Sequence, residues 1–318
     1  MALVAAVSGG ATQAQQAARS YRIGILSMGQ SPQGDPLDNP YLGAMLVRLR
    51  ELGHPEGSVR IDGKWAAGKA ERLTALAAEL VASKVDVLVT IGELALDAAS
   101  RATPTIPIVM FAGDPLAYGY VQSLSHPTGN LTGLSFDGGA SVWTKRLQLL
   151  KQAAPKVRRV AVLTRLNSSP FLSALTGAAK DLGIVLSSAQ AQSVQDLPAA
   201  FAAIEAAQPD ALFVSDSVLF FHYRQEIIRF AAKHRLPDAH GYREAVREGA
   251  LMSYATDLVA AWRQVAYYVD RLLKGARPSD LPIQRPAKFD FVVNSRTARA
   301  LELELPASLL LSADQVIE

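Results

Sequence analysis

Residues 22–27 read Arg-Ile-Gly-Ile-Leu-Ser, and residues 159–164 read Arg-Val-Ala-Val-Leu-Thr. Each is a short apolar run, the pattern of a strand covered on both faces of a parallel sheet. The echo continues: Val85-Asp86-Val-Leu-Val-Thr90 returns as Pro209-Asp210-Ala-Leu-Phe-Val214, and Ile106-Pro107 returns as Leu236-Pro237, in the same order. A pattern used twice along one chain predicts two lobes of similar topology whose loops differ in length.

Working outward, strands are expected at Arg22–Ser27, Val85–Ile91, Ile106–Phe111, Arg159–Thr164, Ile184–Ser188, Ala211–Ser215, Leu251–Tyr254 and Phe289–Val293. Between them lie amphipathic segments, such as Leu42, Met45, Leu46 and Leu49, or Val265, Tyr268, Val269, Leu272 and Leu273. Spacings of three and four place one apolar stripe on each helix. Strand and helix in alternation give an α/β fold of two Rossmann-like lobes with parallel sheets. The run Gly133-Leu-Ser-Phe-Asp-Gly-Gly139 predicts a crossover, and the Pro-rich segment Gly275–Pro286 predicts a second boundary. The expected division is 21–136 plus about 256–285 for lobe 1 and 137–255 plus about 286–318 for lobe 2. The chain then crosses between lobes more than once, through a multi-strand hinge.

The 318 residues include 32 basic and 29 acidic side chains, for a net charge of +3, with 49% hydrophobic residues and no Cys. That much apolar surface fills two cores and excludes a disordered chain. Without Cys there is no thiolate nucleophile, disulfide frame or Cys-ligated metal. The near-balanced charge offers no basic tract for a phosphate backbone, so nucleic acid is not an expected partner. Residues 1–18 carry no charge and include the apolar run Ala2–Val7. That run is far shorter than the ~20 residues of a membrane span. Residues 1–20 read as a signal-peptide remnant or a disordered tail; the former places the mature protein in the periplasm.

Ligands of open parallel sheets bind beyond the carboxyl ends of the strands. That rule selects Ser27, then Gly92 and Glu93, then Gly113 and Asp114 in the first lobe. In the second it selects Asn167, Ser168 and Ser169, then Asp216, then Tyr242. Ser168-Ser169-Pro170 reads as a helix start whose free amides attract a carboxylate, or as an ordinary cap. Asp114, Asp216 and Glu93 are candidates for pairing a ligand ammonium. Each also has a plainer reading: a turn at Asp114-Pro115, a cap at Asp216, a solvated Glu93. Tyr242 and Phe220 either stack on a ligand or belong to the core.

Enzyme motifs fail. There is no Gly-x-Gly-x-x-Gly after a strand and no phosphate-cradling Gly-x4-Gly-Lys-Ser/Thr loop. Gly133-Leu-Ser135-Phe-Asp137-Gly138 places its second Gly one residue late for a nucleophile elbow. His222-x3-Glu226 has helical spacing for two metal ligands, but a third is missing, and a solvated helix face accounts for the pair. No catalytic residue, metal or cofactor is expected.

Taken together, several segments resemble the ABC-transporter substrate-binding proteins of the tryptophan/tyrosine-type family. They are Tyr21–Ser27, Val85–Val89, Ile106–Val109, Gly113-Asp114-Pro115, His126-Pro127-x-Gly129-Asn-Leu-Thr-Gly133, Lys145-Arg146-Leu147, Ala231–Pro237, Gly249-x-Leu251-Met-Ser-Tyr254 and Lys274-Gly275-Ala. The resemblance runs from about residue 21 to 318. It implies the periplasmic-binding-protein type I fold and a monomeric receptor, not membrane-embedded, that closes its lobes on a small molecule. The ligand would be an amino acid, aromatic by the family name, or a related carboxylate. Delivery would be to an ABC permease and its ATPase. Two departures fall on the expected pocket. Ile91-Gly92-Glu93-Leu94 stands where relatives often carry Gly-Gly-Thr-Pro, and Arg165-Leu166-Asn167-Ser168 stands where many carry Asn-Pro. Glu93 and Arg165 therefore bear on which ligand is taken.

Two alternatives use the same lobes. A two-lobed Rossmann-like enzyme such as a glycosyltransferase needs a nucleotide site, which is not found. A cytoplasmic ligand sensor needs a DNA-binding headpiece, absent before Tyr21.

Overall fold

The structure, a computed structural model, describes residues 20–113, 115–116, 119–136, 138–165, 170–286 and 288–318. The first five strands are β1 (Tyr21–Ser27), β2 (Val59–Trp65), β3 (Val87–Ile91), β4 (Ile108–Ala112) and β5 (Leu131–Ser135). They form one all-parallel sheet in the order β2-β1-β3-β4-β5. Helices α1 (Pro40–Glu51), α2 (Leu73–Ala82) and α3 (Glu93–Ala102) connect them.

The second sheet contains β6 (Arg159–Thr164), β7 (Val185–Gln190), β8 (Ala211–Val214), β9 (Asp238–His240), β10 (Met252–Thr256), β11 (Phe289–Asn294) and β12 (Gln315–Ile317). Its order is β12-β11-β10-β9-β8-β6-β7, parallel except where β10 meets β11. Its helices are α4 (Ala140–Ala153), α5 (Pro170–Asp181), α6 (Leu197–Ala206), α7 (Val218–His222), α8 (Arg224–Lys233) and α9 (Arg243–Arg247). Helix α10 (Leu258–Leu273) follows β10 but returns to the first unit, where Trp262, Val265 and Val269 join the core of the first sheet. Helices α11 (Ser295–Ala300) and α12 (Ala307–Ser312) close the chain.

The polypeptide passes between the sheets three times: between β5 and α4, between β10 and α10, and between α10 and β11. The third passage runs beside β5, where Gln284 exchanges backbone hydrogen bonds with Gly133 and Ser135. Two sheets joined by several crossings have few soft coordinates left except rotation about the crossings.

The apolar runs expected as strands all lie on β-strands, and four further strands, β2, β5, β9 and the three-residue β12, were not expected. β2 is a half-buried edge strand, and its Arg60, Asp62 and Lys64 interrupt any apolar run. β9 has three residues and holds Asp238 and His240 fully buried, paired at 2.8 Å. β5 overturns the reading of Gly133 as part of a flexible crossover. Gly133 sits inside the strand at φ +131°, and a Cβ there would lie 2.3 Å from the Met110 carbonyl oxygen. The glycine serves close approach of two strands, not freedom of the chain.

Candidate functional site

A cavity of about 230 Å³ lies between the units at the carboxyl ends of the first sheet. Its first-unit wall is built from the ends of β1 (Ile25, Ser27), β2 (Trp65), β3 (Ile91) and β4 (Phe111). Phe136 follows β5, and the starts of α1 (Asn39, Tyr41, Leu42) and α10 (Leu258, Trp262) complete the wall. The second unit supplies Val218, Phe221 and His222 from α7, and Tyr242.

Local sequence explains this placement. Asn39-Pro40 starts α1: the Asn39 carboxamide accepts from the Tyr41 and Leu42 amides, and Pro40 occupies the first turn. Asp257 caps α10 in the same way through the amides of Val259 and Ala260. Ser217 caps α7 by accepting from the Leu219 amide. Each cap ends a crossing or loop at a fixed point and sets the first helical turn, with its aromatic residue, at the cavity edge.

Ring contacts tie the walls together. Phe111 stands edge-on to Phe136 at 5.5 Å and to Trp262 at 5.9 Å. Tyr41 of the first unit meets Phe221 of the second at 5.9 Å, and Phe221 meets Tyr242 at 5.0 Å. The Arg224 guanidinium lies over Phe221, 4.7 Å from its centroid. These are the edge-on geometries that aromatic quadrupoles favour.

None of the described lining residues is charged at neutral pH. Burial pulls His222 down to about 4, with the Arg224 charge adding to the effect, so its imidazole is neutral. Burial raises the Tyr41 phenol, and the Glu244 carboxylate raises it further; burial likewise raises Tyr242, with Asp216 adding to it. The wall is aromatic, neutral and provided with hydrogen-bonding edges. Among the described residues, no group of three or more His, Asp or Glu side chains is arranged to hold a metal.

The residues expected at the site fall into four groups. Ser27 and Tyr242 line the cavity; the Ser27 hydroxyl accepts from the Gly29 amide. Gly92, Glu93 and Gly113 sit beside it, at the point where the units touch. Glu93 starts α3, accepts from the Gly113 amide at 2.9 Å, and faces Arg165 across the gap at 3.9 Å. Glu93 is thus not solvated, and its charge meets Arg165 before it could meet a ligand. Asp216 does not face a ligand ammonium either. It pairs with the buried Arg146 at 2.9 Å, accepts from the Trp143 indole at 3.1 Å, and leaves the capping of α7 to Ser217. Asp114, Asn167, Ser168 and Ser169 lie outside the described residues.

Two further readings change. Phe220 belongs to the second unit's core, and its neighbour Phe221 faces the cavity. His222 is not on a solvated face with Glu226: it points into the cavity while Glu226 is exposed. Tyr41, Trp65, Phe111, Phe136, Phe221, His222 and Trp262 were missed. Asn39-Pro40 was the available signal for Tyr41. Trp65 ends an edge strand that was itself missed.

The units meet through glycines. A Cβ on Gly29 would fall 1.9 Å from His222 Nε2, and one on Gly92 would fall 2.9 Å from Val218. Side chains of the second unit occupy the space these glycines leave.

A family model described as ABC transporter substrate binding protein matches residues 33–317. A tyrosine-binding protein of Clostridioides difficile strain R20291 is 26% identical over 310 residues, 92% of this chain and 83% of its own length. The crystal structure of an ABC domain in complex with L-Trp from Streptococcus pneumonia matches at TM-score 0.83 and 24% identity, over 94% of this chain and 100% of that one. A ligand-free, open structure of a substrate binding protein with adhesive properties from Clostridium difficile matches at TM-score 0.63 and 22% identity. It covers 94% of this chain and 99% of that one.

Proposed function

The chain belongs to the ABC transporter substrate binding protein family, and from that premise we propose that its inter-unit cavity captures an aromatic solute, an aromatic amino acid or a closely related carboxylate. Delivery is to an ABC permease and its ATPase. The observation that carries the reading is the cavity wall: rings from both units surround a space with no charged side chain among its described residues. Its volume of about 230 Å³ is below the ~300–1,000 Å³ of drug-sized pockets and suits a single ring system rather than a nucleotide sugar. The family is one of binding proteins, which leaves the glycosyltransferase alternative without support.

Binding and closure are coupled in this arrangement. A ring held against Trp262 and Phe111 of one unit and Tyr242 of the other contributes contact free energy only when both walls are in place, so it favours the closed state. The periplasm is the compartment that fits this role. The uncharged residues 1–18 support export, and no helix among the described residues is long and apolar enough to cross a membrane.

Thermal-shift and calorimetric titration with the twenty amino acids and with aromatic acids tests the reading. A ligand at 100 times its Kd stabilises the native state by ~2.7 kcal/mol. Tryptophan or tyrosine should therefore raise Tm, and leucine, glutamate and lysine should not. Selective stabilisation by an aliphatic or strongly charged solute would overturn the assignment.

A further inference from the structure

We propose that His222 is the residue that sets ligand specificity, reading a ring hydroxyl or ring N–H of the aromatic solute through a hydrogen bond in the cavity. The inference rests on the reading of the cavity as an aromatic-solute site and adds to it which ring chemistry is preferred.

Three observations converge on this side chain. First, His222 lines the cavity from the second unit at the end of α7, held at its root by the Ser217 cap and edge-on to Phe221 at 5.5 Å. Its edge abuts Gly29 of the first unit, which has no Cβ to push it away. The ring is therefore positioned only when the two units are together. Second, among the described residues neither ring nitrogen has a hydrogen-bond partner in the protein. Several polar groups at or beside this rim are already engaged: the Ser27 hydroxyl by Gly29, the Asn39 carboxamide oxygen by α1, and Glu93 by Gly113 and Arg165. His222 is partly exposed, and a ligand that fills the cavity displaces water from its ring, so the ligand itself must supply the partner or leave the imidazole unsatisfied. Third, burial keeps the imidazole neutral at physiological pH. A neutral imidazole has one acceptor nitrogen and one donor nitrogen. It can accept a phenol O–H or an indole N–H without presenting a charge to an otherwise uncharged wall.

A bare ring leaves His222 unsatisfied, and a pocket built around a hydrogen bond discriminates against the analogue that lacks it. The prediction is a preference for the hydroxylated or N–H-bearing ring over its bare counterpart. An aromatic wall alone would show no such preference, because burial of ring area treats both alike.

Calorimetry on the full chain with two ligand pairs tests this: L-tyrosine against L-phenylalanine, and L-tryptophan against 3-(1-naphthyl)-L-alanine. At least one pair should show a ratio of ~10-fold or more in the wild type. His222→Phe keeps the ring volume and should bring that ratio within about twofold, leaving the affinity for the bare ring nearly unchanged. His222→Gln restores an acceptor and should recover part of the ratio. The ligand-free Tm of each variant separates loss of recognition from loss of fold. A wild-type ratio near one, or a ratio that survives His222→Phe, overturns the role of His222 while leaving the aromatic reading intact. Failure of all four ligands to bind the wild type overturns both.

Discussion

The two walls of the cavity are held in place by different physics. On the first-unit side, Phe111, Phe136, Leu258 and Trp262 belong to one continuous apolar cluster that runs from the core of the first sheet into the cavity. On the second-unit side the core divides into two main clusters on the two faces of the sheet, and the wall residues Tyr242, Val218 and Phe221 join neither but pack against the first unit's cluster. The strand ends that face the cavity are organised by charge. Arg146, with only 1% of its side chain exposed, pairs with Asp216 and donates to the Tyr254 carbonyl; Arg243 bridges Asp257 and Asp290. The first wall is an extension of its core. The second is a cap carried on an ionic frame. Apolar packing tolerates small adjustments, whereas a buried ion pair fixes geometry and fails badly when one partner is lost.

The largest effect should follow from breaking that frame. Arg146→Met leaves Asp216, which also accepts from the Trp143 indole, without the guanidinium, and removal of one partner of a buried pair costs ~3–5 kcal/mol. Urea unfolding of the ligand-free protein measures it. A loss under ~1 kcal/mol would mean that the second wall is held by packing, as the first is. The opposite perturbation, Trp262→Ala, removes ring area from the first wall. It should weaken ligand binding by ~30-fold or more, as loss of a buried aromatic anchor does. Calorimetry decides, and a change within threefold would show that Trp262 is core rather than ligand surface.

The same contrast explains what could be read from the sequence. The doubled pattern starting at Arg22 and Arg159 was legible because buried parallel strands are continuous apolar runs, and those runs became β1, β3, β4, β6 and β8. The carboxyl-end rule located the cavity's latitude correctly, since Ser27 and Tyr242 line it. It failed on Asp216 and Glu93 because a carboxylate's partner is set by tertiary pairing. Nothing in the neighbourhood of Asp216 announces Arg146, seventy residues earlier. It also failed on the rings. Phe111, Trp262 and Phe221 look like ordinary core residues, and only the approach of the units decides which of them faces the gap; adjacent Phe220 and Phe221 went opposite ways. The departures Glu93 and Arg165, read from the sequence as bearing on the ligand, are joined to each other in the structure.

That joining supports a last, smaller prediction. Glu93 and Arg165 belong to different units, are 12–16% exposed as side chains, and stand 3.9 Å apart, too far for a hydrogen bond but close enough for Coulomb attraction. Opening the units would separate the charges, so the pair contributes only to the closed state and shifts the closing equilibrium by its own interaction energy. A partly solvated pair of this kind is worth ~0.2–1 kcal/mol, or up to about fivefold in apparent affinity. Glu93→Gln is the discriminating change, because the carboxamide oxygen still accepts from the Gly113 amide while the charge is gone. Ligand affinity of the wild type should fall as NaCl is raised, since salt screens the attraction. The variant should bind more weakly at low salt and respond less to it. Both walls remain intact in this variant, so equal salt dependence in the two proteins would locate closure wholly in the rings and the ligand, and remove electrostatics between units from the account.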